Sequence, residues 1–141
     1  EDAEKTLYAV KDWLKNRLSL DVSMEKTKIT NLIEEPMDFL GFEIGVKLSQ
    51  NKYVVESHVS RKAIHRIYQN LKDIIVKMQR PSKETDIILL INKYNAAVIG
   101  VQNYYCIATH VSKDFSWLAN QMTLVIHNRL KGKISKMRTN V

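Results

Sequence analysis

The chain changes hydrophobic period once, and that switch restricts the folds open to it. From Leu40 to Leu48 the apolar residues Leu40, Phe42, Ile44, Val46 and Leu48 alternate with Gly41, Glu43, Gly45 and Lys47. A period of two puts one set on one face of a β-strand. Ser49-Gln50-Asn51-Lys52 suits a turn and Tyr53–Val59 a returning strand, so a hairpin is expected. Gly41 and Gly45 fall on the face opposite the apolar one, where bare backbone lets another chain approach closely. From Ser60 onward the period becomes 3.6, and Ser60 itself is a suitable N-cap.

Three helices are expected after that switch. The first carries Ile64, Ile67 or Tyr68, Leu71, Ile74 or Ile75, and Met78, and should stop before Pro81, because the residue before proline avoids the helical region. The second runs from about Thr85 to Ile107 with the stripe Ile87, Leu90 or Ile91, Tyr94, Val98, Val101 and Tyr105. Gly100 inside it costs about 1 kcal/mol relative to alanine, so close approach or a bend is expected there. The third follows a Ser112 cap, with Phe115, Leu118, Met122, Val125 or Ile126, and Leu130, and Gly132 as its stop. Before the hairpin, Asp2–Leu18 reads as an amphipathic helix with acids at its start and Lys15 and Arg17 at its end, which complements the helix dipole. Ser19–Leu32 reads as extended, with a strand around Thr27–Leu32 and a turn at Pro36. The fold class is therefore α+β: an N-terminal helix and a small antiparallel hairpin or sheet, then a three-helix bundle, with a boundary between 1–59 and 60–141.

Charge changes at the same place. Residues 1–60 hold 8 Lys/Arg against 11 Asp/Glu, a balance of −3; residues 61–141 hold 14 against 4, a balance of +10. A basic half joined to an acidic one implies a polyanionic partner for the basic half. Spacings of three and four put Lys62, Arg66, Gln69 and Lys72 on one face of the first helix after Ser60, with Arg61 beside them. Lys77, Arg80 and Lys83 extend the basic run, and Arg129, Lys131 and Lys133 add to it near the C-terminus. Lys and Arg neutralise phosphates, and Gln donates to sugar or phosphate oxygens. Tyr94, Tyr104 and Tyr105 suit either base stacking or a core. Tyr104 is the strongest stacking candidate, since it neighbours Tyr105 and points elsewhere on the helix. Trp13 and Trp117 read as packing residues.

Several chemistries are excluded. The single cysteine, Cys106, allows no internal disulfide and no zinc site needing two thiolates. His58, His65, His110 and His127 show no HxxxH spacing and no evident carboxylate partner, and read as surface or half-buried side chains. The four glycines fit neither GxGxxG nor GxxxxGK, and there is no GxSxG elbow. No apolar run approaches the ~20 residues a membrane helix needs, and no signal peptide is visible. A start inside an apparent helix, without Met, suggests an excised piece.

Ser23-Met24-Glu25-Lys26-Thr27-Lys28-Ile29-Thr30 followed by Phe39-Leu40-Gly41-Phe42-Glu43-Ile44 resembles the end of a reverse transcriptase palm. Farther on, Tyr94-Asn95, Gly100 and Asn103-Tyr104-Tyr105 resemble the signature of the group II intron maturase domain, also called domain X or the thumb. The resemblance covers nearly the whole chain in the family's order. It implies an RNA-binding thumb/maturase piece of a group II intron reverse transcriptase. Such a piece aids splicing and grips the template–primer duplex during RNA-directed DNA synthesis. Phe39, Leu40, Gly41 and Phe42 would be the primer grip. Lys26 would be the motif D general acid of the full enzyme. The Tyr-x-Asp-Asp aspartates that hold Mg2+ in the family are absent here, so no polymerase activity is expected from this chain alone, and no metal or cofactor is expected in it. The implied partners are structured intron RNA and an RNA/DNA duplex, with no membrane, in a cytoplasmic setting, bacterial ahead of organellar. Self-association through exposed strand edges is a further expectation. Two other classes compete: a stand-alone helical DNA-binding module and a protein-interaction bundle.

Overall fold

The computed structural model describes residues 2–81 and 84–138, with 84–85 and 132–138 as backbone only. The fold is α+β, and the described residues form four α-helices and a three-stranded antiparallel sheet. Helix α1 spans Asp2–Leu18, strands β1, β2 and β3 span Met37–Phe39, Phe42–Ser49 and Lys52–Val59, and helices α2, α3 and α4 span Arg61–Gln79, Glu84–Tyr105 and Val111–Arg138.

Helix α1 has the bounds its pattern predicts and ends at Ser19, whose backbone is left-handed (φ 54) and whose N–H donates to the Lys15 carbonyl. It buries no residue, and Trp13 is 56% exposed, so the packing role read for that tryptophan is not met. The strand expected around Thr27–Leu32 does not form. A 3-10 turn, Met24–Lys26, precedes that segment, and a turn at its end has Asn31 capping Ile33 and Glu34. Asparagine competes with strand pairing by bonding its own neighbours. The third strand is instead β1, just past Pro36.

The sheet order is β1-β2-β3, joined by two tight hairpins. Gln50 (φ 47) and Asn51 (φ 62) make the expected turn in the doubly left-handed form that matches strand twist. The other turn is Leu40 (φ 50) and Gly41 (φ 85), so Leu40 is a corner residue, not the first residue of the apolar strand face. Position Leu40 carries real strain, because a branched side chain disfavours positive φ. On β2 and β3, Phe42 faces Val59 and Ile44 faces Ser57; the alternate pairs are Glu43 with His58 and Gly45 with Glu56.

Ser60 caps α2, its hydroxyl accepting from the Ala63 N–H, and α2 stops before Pro81 as expected. The helix buries Ala63, Ile67, Leu71, Ile74, Ile75 and Met78, one continuous stripe. Phe42 and Val59 of the sheet join Ile67, Leu71, Ile75, Tyr105, Leu118 and Met122 of the helices in one core cluster. Helix α4 begins one residue before Ser112 and continues through Gly132, so that glycine does not stop it. A glycine ends a helix only where a left-handed cap is formed. Gly100 also departs from expectation: nothing would lie within 4 Å of a Cβ there.

Candidate nucleic-acid interface

The two hairpin-side and helix-side motifs meet. The Tyr104 hydroxyl donates to the Leu40 carbonyl at 2.9 Å, and its ring stacks on Phe42 at 5.7 Å. Tyr105 is buried beneath it, 5.0 Å from Phe42, and 4.7 Å from Tyr104 edge to face. A Cβ on Gly41 would stand 2.6 Å from the Tyr105 hydroxyl, so the group that approaches this bare backbone is a tyrosine of the same chain. Gly45 likewise faces Pro36. Aromatic clusters of this kind add about 0.5–1.5 kcal/mol per pair beyond area burial. They fix the β1–β2 corner rigidly against the end of α3. Phe42 is core, whereas Phe39 (52% exposed) and Leu40 (68% exposed) project at the corner.

A groove of about 450 Å³ runs from this corner between α2 and α3, lined by Leu40, Arg66, Asn70, Ala97, Gly100 and Tyr104 among others. Gly100 makes part of its wall, which gives the glycine a role other than tight packing. Arg66 and Tyr104 from the basic-surface set and Leu40 from the corner set are therefore brought to one place.

The remaining basic residues form a face rather than a pocket. Arg61, Lys62, Arg66 and Lys77 are exposed on α2, opposite its buried stripe; Gln69 and Lys72 are half-buried, with the Lys72 ammonium 5.6 Å over the Tyr68 ring. Arg80, at the C-cap of α2, is exposed. Among the described residues, no carboxylate pairs with any of the α2 cations. In the acidic half Lys15, Lys28 and Lys47 are each paired, with Asp21, Glu35 and Glu56. Arg129 is partly committed: its Nη1 donates to Gln79 Oε1 at 3.0 Å, while Gln79 Nε2 donates to the Arg129 carbonyl. Lys131 is exposed. Lys83 and the Lys133 side chain lie outside the described residues. Lys26 sits exposed in the 3-10 turn and takes no part in the groove.

Tyr94 does not join this surface. It lines an apolar cavity of about 240 Å³ with Leu71, Val98, Phe115, Leu118 and Met122, and burial there raises the pKa of its hydroxyl. Trp117 is half exposed, 6.5 Å from Tyr68.

Sequence reasoning missed one cluster. His58 Nδ1 lies 3.1 Å from Asp114 Oδ1, and His110 Nε2 lies 3.6 Å from Glu56 Oε1. Both histidines thus have carboxylate partners, contrary to expectation, and their rings stack at 4.6 Å. The partners are 54 to 56 residues apart in the chain, so no local spacing could reveal them; only the period-two placement of Glu56 and His58 on one strand face was visible. Among the described residues no helix is long and apolar enough to cross a membrane. Compared with protein-family models, curated proteins and solved structures, the chain matches none.

Proposed function

We propose that this chain is an RNA-binding thumb/maturase unit of the group II intron reverse transcriptase type. Its exposed α2 cations would lie along the sugar-phosphate backbone of intron RNA or of a template–primer duplex. The observation that carries this reading is that Arg61, Lys62, Arg66 and Lys77 stand exposed opposite the buried stripe of α2 and, among the described residues, meet no carboxylate. Unpaired cations on one face release counterions from a polyanion when they bind it, which is the main source of sequence-independent affinity. The groove at Gly100 supports the same reading, because it continues the cationic face toward an exposed corner of Phe39 and Leu40. An A-form duplex offers shape, phosphates and 2′-hydroxyls rather than readable base edges, which suits such a face.

In the whole enzyme, on this proposal, the Phe39–Phe42 corner sits against the primer end, held there by Tyr104 and Tyr105. Lys26 donates a proton near the departing pyrophosphate, and Mg2+ is held by aspartates outside this chain. The competing DNA-module reading needs base-reading side chains at a helix start, whereas the described start of α3 has half-buried Asp86 and Ile87, and Ile88, exposed rather than in the core, offers no hydrogen-bonding group to a base edge.

Filter binding of intron RNA across a salt series tests the proposal. With about six phosphates contacted, log affinity should fall against log salt with a slope on the order of −4 to −5. Lys62→Glu and Arg66→Glu should each flatten the slope by about 1 and weaken binding. Lys15→Glu, in the acidic half, should change neither. A flat salt response, or an equal effect of Lys15→Glu, overturns the reading.

A further inference from the structure

We propose that Glu56, His58 and His110 form a binding site for one divalent transition-metal ion of the zinc class, with Asp114 as the residue that positions His58. The inference is independent of the RNA-binding reading. One ligand atom from each of the three side chains lies within 4.8 Å of those of the others. Tetrahedral coordination with bonds of about 2.0–2.1 Å brings ligand atoms to roughly 3.4 Å apart. The His110–Glu56 pair, at 3.6 Å, is already nearly there. The His58 and His110 rings lie stacked at 4.6 Å and 12°, so ligation requires the His110 ring to turn out of the stack until its lone pair and that of His58 meet at one point.

The donor chemistry fits. Two imidazoles and one carboxylate are a borderline-soft set that suits zinc and leaves a fourth position for water. Asp114 supplies what a metal-ligating histidine needs from its other side. Its Oδ1 takes the Nδ1 of His58 at 3.1 Å, which places the proton there and leaves Nε2 as the lone pair for a cation. Asp114 is itself fixed, because its Oδ2 accepts from the Val59 N–H at 2.8 Å, and its side chain is only 12% exposed. The proton placement follows from the acceptor, since a carboxylate cannot donate.

The frame is set before any ion arrives. The His110 N–H donates to the Ser57 carbonyl at 3.0 Å, the Ser57 N–H donates to Thr109 Oγ1 at 2.7 Å, and the Thr109 N–H donates to Ser57 Oγ at 3.0 Å. Strand β3 and the α3–α4 turn are thereby locked in register, one residue from each ligand pair. An entry path exists as well. Glu56 and His58 line an open cleft of about 360 Å³ together with Glu34, Glu43 and the Lys28-paired Glu35, and the carboxylates left without a cation draw one in. Lys47, 3.7 Å from Glu56, has a side chain 68% exposed that can turn into solvent when the carboxylate takes an ion. A bound ion would staple strand β3 to the turn between α3 and α4, across the joint between the acidic and basic halves.

The test uses the full chain, stripped with chelator and refilled with Co2+ as a spectroscopic probe, then with Zn2+ in competition with a chromophoric chelator. The expected result is one ion per chain and the intense visible bands of four-coordinate cobalt. Glu56→Gln, His58→Ala and His110→Ala should each weaken binding by more than about 100-fold, and Asp114→Asn by roughly 10–100-fold. His65→Ala and His127→Ala should leave it unchanged. Glu56→Gln preserves side-chain shape, so it reports on ligation even where a histidine variant folds poorly, with circular dichroism as the check. Absence of stoichiometric binding overturns the proposal. So does affinity that survives Glu56→Gln and His110→Ala, or that falls equally with His127→Ala, since the ion would then sit on scattered surface histidines.

Discussion

Two amphipathic helices of similar length behave oppositely. Helix α2 carries 19 residues and buries six of them; α1 carries 17 and buries none. Both have apolar residues at helical spacing, and α1 has the better-placed end charges, with acids in its first turn and bases in its last. Periodicity and capping therefore decide that a helix forms, but not that it is covered. What separates the two is the company each keeps. Helix α2 meets α3, α4 and the Phe42–Val59 face of the sheet in one core, while Tyr8, Val10, Trp13 and Leu18 of α1 stay exposed. The stability of the described fold should thus reside almost wholly after residue 36.

The sharpest way to break that contrast is Ile75→Ala. Ile75 is 1% exposed, in the middle of the α2 stripe. Its truncation should lower unfolding free energy by about 2–5 kcal/mol, read as a shifted urea midpoint with an unchanged m-value. A loss under about 1 kcal/mol would mean that the three-helix core is looser than its packing shows.

Gly41→Ala probes the joint between the two regions and should have an intermediate effect. The residue has φ +85, and an added Cβ meets the buried Tyr105 hydroxyl at 2.6 Å. Left-handed strain alone costs about 1–2 kcal/mol, and the clash adds to it, so a total of about 1–3 kcal/mol is expected in the same unfolding experiment. The accompanying change should be weaker near-ultraviolet signal from the Tyr104–Tyr105–Phe42 cluster. Ala tolerated without loss would show that Tyr105 does not hold the corner.

The sequence made local matters plain and left distant ones hidden, for reasons these residues illustrate. The α2 stripe, the Ser60 cap and the Gln50-Asn51 turn were legible because each depends on neighbours within four residues. Leu40 was misplaced because alternation extends one step past the true strand; the corner becomes visible only once β1 pairs with β2, which needs Met37 opposite Ile44. Gly132 was misread because a glycine after basic residues signals a stop only on average. The cationic face of α2 was legible as a charge pattern, but its lack of acidic partners was not. The His58–Asp114 and His110–Glu56 contacts depend on folding β3 against α4, and no spacing rule spans that distance.

The smallest expected effect sharpens the comparison most. A tryptophan removed from a core costs about 3–5 kcal/mol, through lost transfer energy and the cavity left behind. Trp13 is 56% exposed on a helix that buries nothing, so neither contribution applies in full. Trp13→Ala should therefore change unfolding free energy by less than about 0.5 kcal/mol, as surface substitutions do. The same variant should lose one tryptophan's fluorescence without shifting the emission of Trp117, which sits beside Tyr68 on the other region. A cost above about 2 kcal/mol would show that α1 is covered in solution by another surface, a second copy included. Repeating the measurement across protein concentration separates the cases, because cover supplied by another copy weakens on dilution and cover within one chain does not.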